Sequence, residues 1–279
     1  MKLTLYSLMR MAGYKPQDMK AKLVRHRSLK YDLPELLRRG QFDLYQWSQS
    51  RHLFNCNVVL SFLGVGPHHA KLIGVYDVVA HHEKTRPWPS DYLYPQMQTA
   101  SHWYDVKRHV AFDDLEDRVV IDWGPSPRSW CQRLTDRDVV EIRPAGFHSV
   151  FPGYMDFVLT FSELCQIVEH PSANSSWHEK LSAVGGVYLI TDESTGRQYV
   201  GSACGKDGIL GRWRSYAANG HGGNQLLKEL IADNSGAKLN LRYTILRTVS
   251  HSISPKEIVE MEGLFKQKLG SRVQGLNIN

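Results

Sequence analysis

Gly186-Val187-Tyr188-Leu189-Ile190-Thr191 and Gln198-Tyr199-Val200-Gly201-Ser202 are two apolar runs separated by Asp192–Arg197, where Thr195-Gly196 suits a tight turn. The stretch reads as a β-hairpin. Downstream, Leu226, Leu227, Leu230 and Ile231 form one apolar stripe at helical spacing. Residues 239–246 alternate like a strand. Ile258, Met261, Leu264, Phe265 and Leu269 then follow a second helical period, which opens on the Ser254-Pro255 start signal. The predicted order is strand, turn, strand, helix, helix, strand, helix, giving a small antiparallel three-stranded sheet flanked by helices.

Around that hairpin lies an ordered set of polar side chains. Gly186-Val187-Tyr188 is followed by Tyr199-Val200-Gly201-Ser202-Ala203, Gly211-Arg212-Trp213, Tyr216, His221, Glu262 and finally Gly275-Leu276-Asn277. A lone Gly-Val-Tyr carries no information. The whole series, in this order, resembles the GIY-YIG nuclease family, and its phage homing-endonuclease branch more than its excision-repair members. Valine replaces isoleucine in both name-giving tripeptides, which keeps a β-branched strand residue at each place. The resemblance spans about residues 183–279.

That resemblance implies a metal-dependent endonuclease that hydrolyses phosphodiester bonds in DNA. Glu262 would hold Mg²⁺ (or Mn²⁺), a hard ion that prefers oxygen donors and keeps several waters. Arg212 would clamp the scissile phosphate with a guanidinium fork that is always charged. Tyr188 would act as general base or water-positioner, which calls for a phenol pKa below its usual value near about 10. Tyr199 would orient water or phosphate. Tyr216 stands one helical turn after Arg212, where many relatives have histidine, and His221 falls at a further functional histidine of the phage branch. Asn277 would fix the phosphate or the local backbone. Each has a plainer reading: strand tyrosines mostly pack, helix glutamates mostly face solvent, and the glycines around His221 also fit a simple loop.

Upstream the pattern differs. Residues 1–50 read as helical, with Leu33, Leu36 and Leu37 on one side of a segment started by Asp32 and Pro34. From Asn57 short apolar runs (58–63, 71–79, 119–123, 139–142) alternate with Gly- and Pro-rich loops, which suggests a β-rich barrel or sandwich. The strand pattern around Gly74-Val75-Tyr76 loosely resembles PUA-like barrels. Residues 157–168 look like a closing helix. Pro171-Ser172-Ala173-Asn174-Ser175-Ser176 is the linker candidate. The expected organisation is a recognition domain over 1–170, a linker over 171–182 and a nuclease domain over 183–279, with an overall α+β or α/β class.

The 279 residues are 42% hydrophobic and 22% charged, as in ordinary soluble domains. No run is long enough to span a membrane. Arg10 interrupts the short apolar start, so no secretory signal is expected. The four cysteines are far apart and lack any Cys-x-x-Cys pair, as in reduced, cytoplasmic proteins. The histidine pairs His68-His69 and His81-His82 lack the i, i+4 spacing of helix-borne metal ligands. A net charge of +6 suits a polyanionic partner, and residues 1–30 hold eight Lys or Arg against the single acid Asp18. Aromatic and basic residues interleave over 88–130: Trp88, Tyr92, Tyr94, Trp103, Tyr104, Lys107, Arg108, Trp123, Arg128 and Trp130. Such a mixture can stack on bases and hold phosphates.

Three functions stand open on this reading. A DNA endonuclease of restriction or phage-defence type comes first, acting on modified or unmodified DNA. A repair or mobile-element nuclease is the second. The third is a nucleic-acid-binding module whose nuclease half is only a scaffold.

Overall fold

The structure is a computed structural model that describes residues 2–84, 86–97, 100–124, 129–233 and 236–278. The chain divides into two compact units, Met1–Arg143 and Pro144–Asn279.

In chain order, the first unit contains α1 (Leu5–Met11), β1 (Ala21–His26), α2 (Leu33–Arg38), α3 (Phe42–Trp47), β2 (Ser48–Gln49), β3 (Val58–Val65) and β4 (His69–Glu83). After these come β5 (His102–Arg108), β6 (Val119–Asp122), β7 (Cys131–Arg133) and β8 (Val139–Ile142). The eight strands form one sheet in the order β2-β5-β4-β3-β1-β7, with β6 joining β4 to β8. The long β4 carries the curvature. Its first residues pair with β6, its last with β5, and a register shift lies between Val78 and Ala80. Bulges of this kind bend a strand and increase its twist. Among the described strands β2 and β7 end the path, and the sheet is curled into half a barrel.

The helical expectation for residues 1–50 holds only in pieces. Asp32 caps α2 by accepting from the Glu35 amide, as the sequence indicated. Ala21–His26, however, is a strand, parallel to β3 and antiparallel to β7. Its charged residues disguised it. Arg25 is only 2% exposed, and its guanidinium donates to the carbonyls of Gly66 and Pro67 at 2.9 Å each. It is a core ligand of the chain's own backbone, not part of a surface basic patch. Lys2 is likewise paired, with Asp138 at 2.6 Å.

The second unit runs β9 (Leu159–Thr160), α4 (Phe161–Glu169), α5 (Ser175–Ser182), β10 (Gly185–Asp192), β11 (Gln198–Ala203), α6 (Gly208–Asn219), α7 (Gln225–Asp233), β12 (Leu241–Val249) and α8 (Pro255–Leu269). The hairpin forms in the expected register, with Tyr188 opposite Gly201. Its sheet has four strands, not three, in the order β11-β10-β12-β9. The extra strand comes from residues expected upstream: Leu159 and Thr160 pair with Tyr243 and Arg242. The closing helix α4 starts with a full capping box between Thr160 and Glu163.

Residues 171–182 therefore lie inside this unit and do not form a linker. Asn174 is buried, donating to the carbonyls of Gly146 and His170 and accepting from the His148 amide. On α5, Trp177 and Leu181 are buried in the same core as Leu164, Tyr188, Trp213 and Tyr243. Small polar residues looked like a linker because the apolar partners of α5 are distant in sequence.

Candidate active site

Sheet alternation sends Tyr188 to the face of β10 covered by α6. Directly across the hairpin, a Cβ on Gly201 would sit 2.5 Å from the Tyr188 hydroxyl oxygen. The glycine of Tyr199-Val200-Gly201 is thus the space into which the Tyr188 ring extends. On α6, Arg212 and Tyr216 are four residues apart and share one side of the helix. The Arg212 Nε donates to the Tyr188 hydroxyl at 3.3 Å, and the guanidinium lies 5.2 Å from the centre of the Tyr216 ring. The Tyr188 and Tyr216 hydroxyls are 3.1 Å apart. Tyr199 flanks the cluster, its ring 6.5 Å from that of Tyr188 and 6.4 Å from that of Tyr216.

Both inner phenols are fully buried. Burial, joined by the neighbouring Tyr199, pushes the Tyr188 phenol up from its ordinary value. Burial and then Tyr188 push Tyr216 the same way. A lowered phenol at Tyr188 was the expectation, and the structure reverses it. Desolvation outweighs the nearby guanidinium, so both tyrosines are neutral at neutral pH.

Glu262 is on α8 and reaches β11 from its other face. Its Oε2 accepts from the Ser202 hydroxyl at 2.5 Å, and its Oε1 pairs with the Lys266 ammonium at 2.7 Å. β11 ends at Ala203, and the chain turns from there into α6. There a shallow cavity of about 430 Å³ is lined by Ser202, Lys206, Asp207, Gly211, Arg212 and Ser215, among others. Arg212 and Ser202 thus line one concave site, and Ser202 links it to Glu262.

Asn277 sits elsewhere on that edge. Its side chain accepts from the Val200 amide at 2.9 Å and donates to the Val200 carbonyl at 2.8 Å, as a neighbouring strand would. The Leu276 amide donates to the Gln198 carbonyl at 2.7 Å. Gly275 permits the approach, because a Cβ there would lie 2.4 Å from the carbonyl oxygens of Gln198 and Ser271. Of the two roles expected for Asn277, this geometry serves the local backbone. The Nδ1 of His221 accepts from the Gly223 amide at 3.0 Å, which assigns the neutral ring's proton to Nε2. In that state it can donate from Nε2 but has no free acceptor.

Two residues of this site escaped the sequence reading. Ser202 follows the motif glycine, and alternation alone would have aimed it away from Tyr188. Lys266 stands four residues after Glu262, the spacing at which a helix brings opposite charges together. Among the described residues, no further His, Cys, Asp or Glu joins Glu262 in a metal-competent group of three; the group of that kind is His81, Glu83 and His102, in the first unit.

The surface once expected upstream is also redistributed. Trp123, Tyr92 and Tyr104 are core residues, and Arg108 is paired with Asp113 and Glu116. Trp130 is 39% exposed, Trp103 is half-buried, and Arg128 lies outside the described residues. The four cysteines are free thiols. No helix among the described residues is long and apolar enough to cross a membrane.

No protein-family model and no curated protein matches this sequence. Two solved structures are similar over 34% of the chain. One, covered over 94% of its length at 21% identity, is the catalytic domain of the intron endonuclease I-TevI in a point-mutant form. The other, covered over 98% at 22% identity, is the catalytic domain of the homing endonuclease I-TevI. At a TM-score of 0.28 for each, neither likeness bears on the activity of this chain.

Proposed function

We propose that the second unit is a metal-dependent endonuclease domain that hydrolyses DNA phosphodiester bonds, and that the first unit supplies target recognition. The observation that carries this reading is a cavity lined by both a braced arginine, Arg212, and Ser202, whose hydroxyl donates to the Glu262 carboxylate. Arg212 is oriented by Tyr188 and by the Tyr216 ring before any substrate arrives. A guanidinium held in this way can meet the negative charge that develops on a phosphate under attack, without first reorganising. Tyr188 and Tyr216, as neutral phenols, are positioning residues in this scheme and not the base.

The donor set suits Mg²⁺ or Mn²⁺. Glu262 and Ser202 offer only oxygen, and the Glu262 carboxylate already holds one positive charge, the Lys266 ammonium at 2.7 Å. When bound, such an ion polarises the phosphate and makes its own water more acidic. Lys266 would have to release Oε1 for the carboxylate to bind it. Ser202 holds the other oxygen and fixes the carboxylate toward the sheet edge. Lys206, on the cavity wall, adds a second positive group for the DNA backbone.

The test is cleavage of plasmid and linear DNA, modified and unmodified, with Mg²⁺ or Mn²⁺. Cuts are expected only with the divalent ion. Glu262→Ala should abolish them while circular dichroism stays that of the native protein. Cleavage in excess chelator, or by the Glu262→Ala protein, would overturn the assignment.

A further inference from the structure

The first unit carries a cluster that the proposed nuclease chemistry does not use. It lies where β4 and β5 separate, at the neck of the connection over residues 84–101. The register there places Glu83 opposite His102 and His81 opposite Tyr104. Alternation then puts His81, Glu83 and His102 on one face of the strand pair and His82, Trp103 and Asp105 on the other. The contacts agree. His82 stacks on Trp103 with ring centres 4.0 Å apart and bonds to Asp105 at 2.9 Å. On the first face, His81 Nε2 and His102 Nδ1 are 2.9 Å apart, with the two rings 8° from parallel.

One ligand atom from each of His81, Glu83 and His102 lies within 4.8 Å of the others. Two imidazole nitrogens aimed at each other across adjacent strands need either a proton or a cation between them. A zinc ion takes nitrogen at about 2.0–2.1 Å and carboxylate oxygen at about 2.0–2.2 Å. Small rotations of three side chains at a partly exposed neck would meet those lengths. The backbone is already set, because paired strands hold their residues at fixed spacing. The His81 ring is backed by His52, stacked at 3.9 Å and 8°, and by Tyr104 at 5.0 Å, which limits its rotation.

We infer that His81, Glu83 and His102 form a site for a zinc-class divalent transition metal, with three protein ligands and one coordination position left for water. Two imidazoles with one carboxylate select zinc, cobalt or nickel over magnesium, which prefers an all-oxygen shell. The ion would clip the last residues of β4 to the first of β5 and so hold the mouth of the 84–101 connection. It differs in donor chemistry from Glu262, belongs to the other unit, and stands whether or not the second unit cuts DNA.

The test uses the full chain, stripped with chelator, exchanged into buffer and titrated with Co²⁺ and Zn²⁺. The wild type should bind one equivalent of Zn²⁺ at this site, and Co²⁺ should give the visible absorption of a low-coordinate N/O complex. Zn²⁺ affinity should fall about 100-fold or more in His81→Ala and His102→Ala, beyond the range that loss of a mere supporting bond costs. Glu83→Gln, a change at an exposed side chain, should weaken binding without any risk to the fold. His82→Ala, one residue away on the other face, should bind as wild type does. Glu262→Ala should also keep its zinc, which separates this site from the nuclease reading. Absence of Zn²⁺ binding by the wild type, or equal binding by Glu83→Gln and the folded histidine variants, would overturn the inference.

Discussion

The two units bury ionisable groups to different ends. In the first, His26 is enclosed between the Phe42 and Tyr45 rings and bonded to Ser61, which donates in turn to Gln46. From there the Gln46 amide donates to the Asp43 carboxylate at 2.7 Å, so the chain runs through the core to a surface acid. In the second, Tyr188 and Tyr216 are as deeply buried, but the Tyr188 hydroxyl and the Tyr216 ring both hold Arg212, which borders an open cavity. Buried polarity holds a core together in one case and aims a cation in the other. The comparison teaches that burial alone does not mark a site. In the second unit the buried phenol's partner is a cation that lines a cavity.

The sharpest way to break this comparison is to remove chain from the second unit. A fragment over residues 176–279 keeps every motif residue but loses β9 and α4. Leu159, Phe161, Leu164 and Ile167 are all buried. At about 1.5–3 kcal/mol per fully buried side chain their loss amounts to roughly 6–12 kcal/mol, comparable with a whole domain's stability. The 176–279 fragment should be unfolded by near-UV circular dichroism and amide dispersion, and the 144–279 fragment folded. A cooperative thermal transition in the shorter fragment would show that β9 and α4 are accessory.

A smaller effect is expected at Arg212. Arg212→Ala should lower single-turnover cleavage by about 10²–10³, or roughly 3–4 kcal/mol of barrier, with DNA affinity changed far less. Arg214, exposed on the same helix, is the control and should leave the rate nearly intact. Equal losses in the two variants would reduce the braced cation to one member of a general basic surface.

The last effect, spread over several pH units, belongs to His26. Burial pushes its imidazole down to about 3, against an ordinary value of 6.5. The unfolded chain therefore binds a proton that the folded chain refuses between those values. The stability this neutral histidine permits is complete above pH 6.5 and is lost as pH falls toward 3, by about 1.4 kcal/mol per unit. Burial raises Glu116 to about 7, which acts with the opposite sign between 4.5 and 7. The wild-type profile alone would therefore mix the two. Urea unfolding of wild type against His26→Gln, at steps from pH 7 to 4, isolates the histidine. The difference in stability between the two should shift against the wild type as pH falls, and a flat difference would mean that His26 gains its proton without unfolding.

Within the second unit the hairpin, the Arg212–Tyr216 pairing on one helix side and the Ser254 start of α8 were legible in the sequence, because each is a contact between residues a few positions apart. The i, i+4 link from Glu262 to Lys266 was equally local and could have been read. In the first unit β1 was hidden, because its two pairings are with β3 and β7, far along the chain, and because Arg25 and His26 look like surface residues until their partners are known. Alternation in 81–83 was present in the sequence, yet only the pairing of β4 with β5 brings His102 to it.

By itself, then, the sequence determined the local elements: the turn at Thr195-Gly196, the helix starts, the residue types available for phosphate chemistry and the absence of a long apolar span. Tertiary structure decided the unit boundary, the fourth strand, the closure of the β11 edge by Asn277 and the protonation of the tyrosines. The physical reason is that propensity and periodicity act over a few residues, whereas burial is set by whatever distant chain arrives. Tyr188 shows the difference most plainly, since its place in the hairpin follows from neighbours in sequence and its raised pKa from a core assembled across residues 159–276.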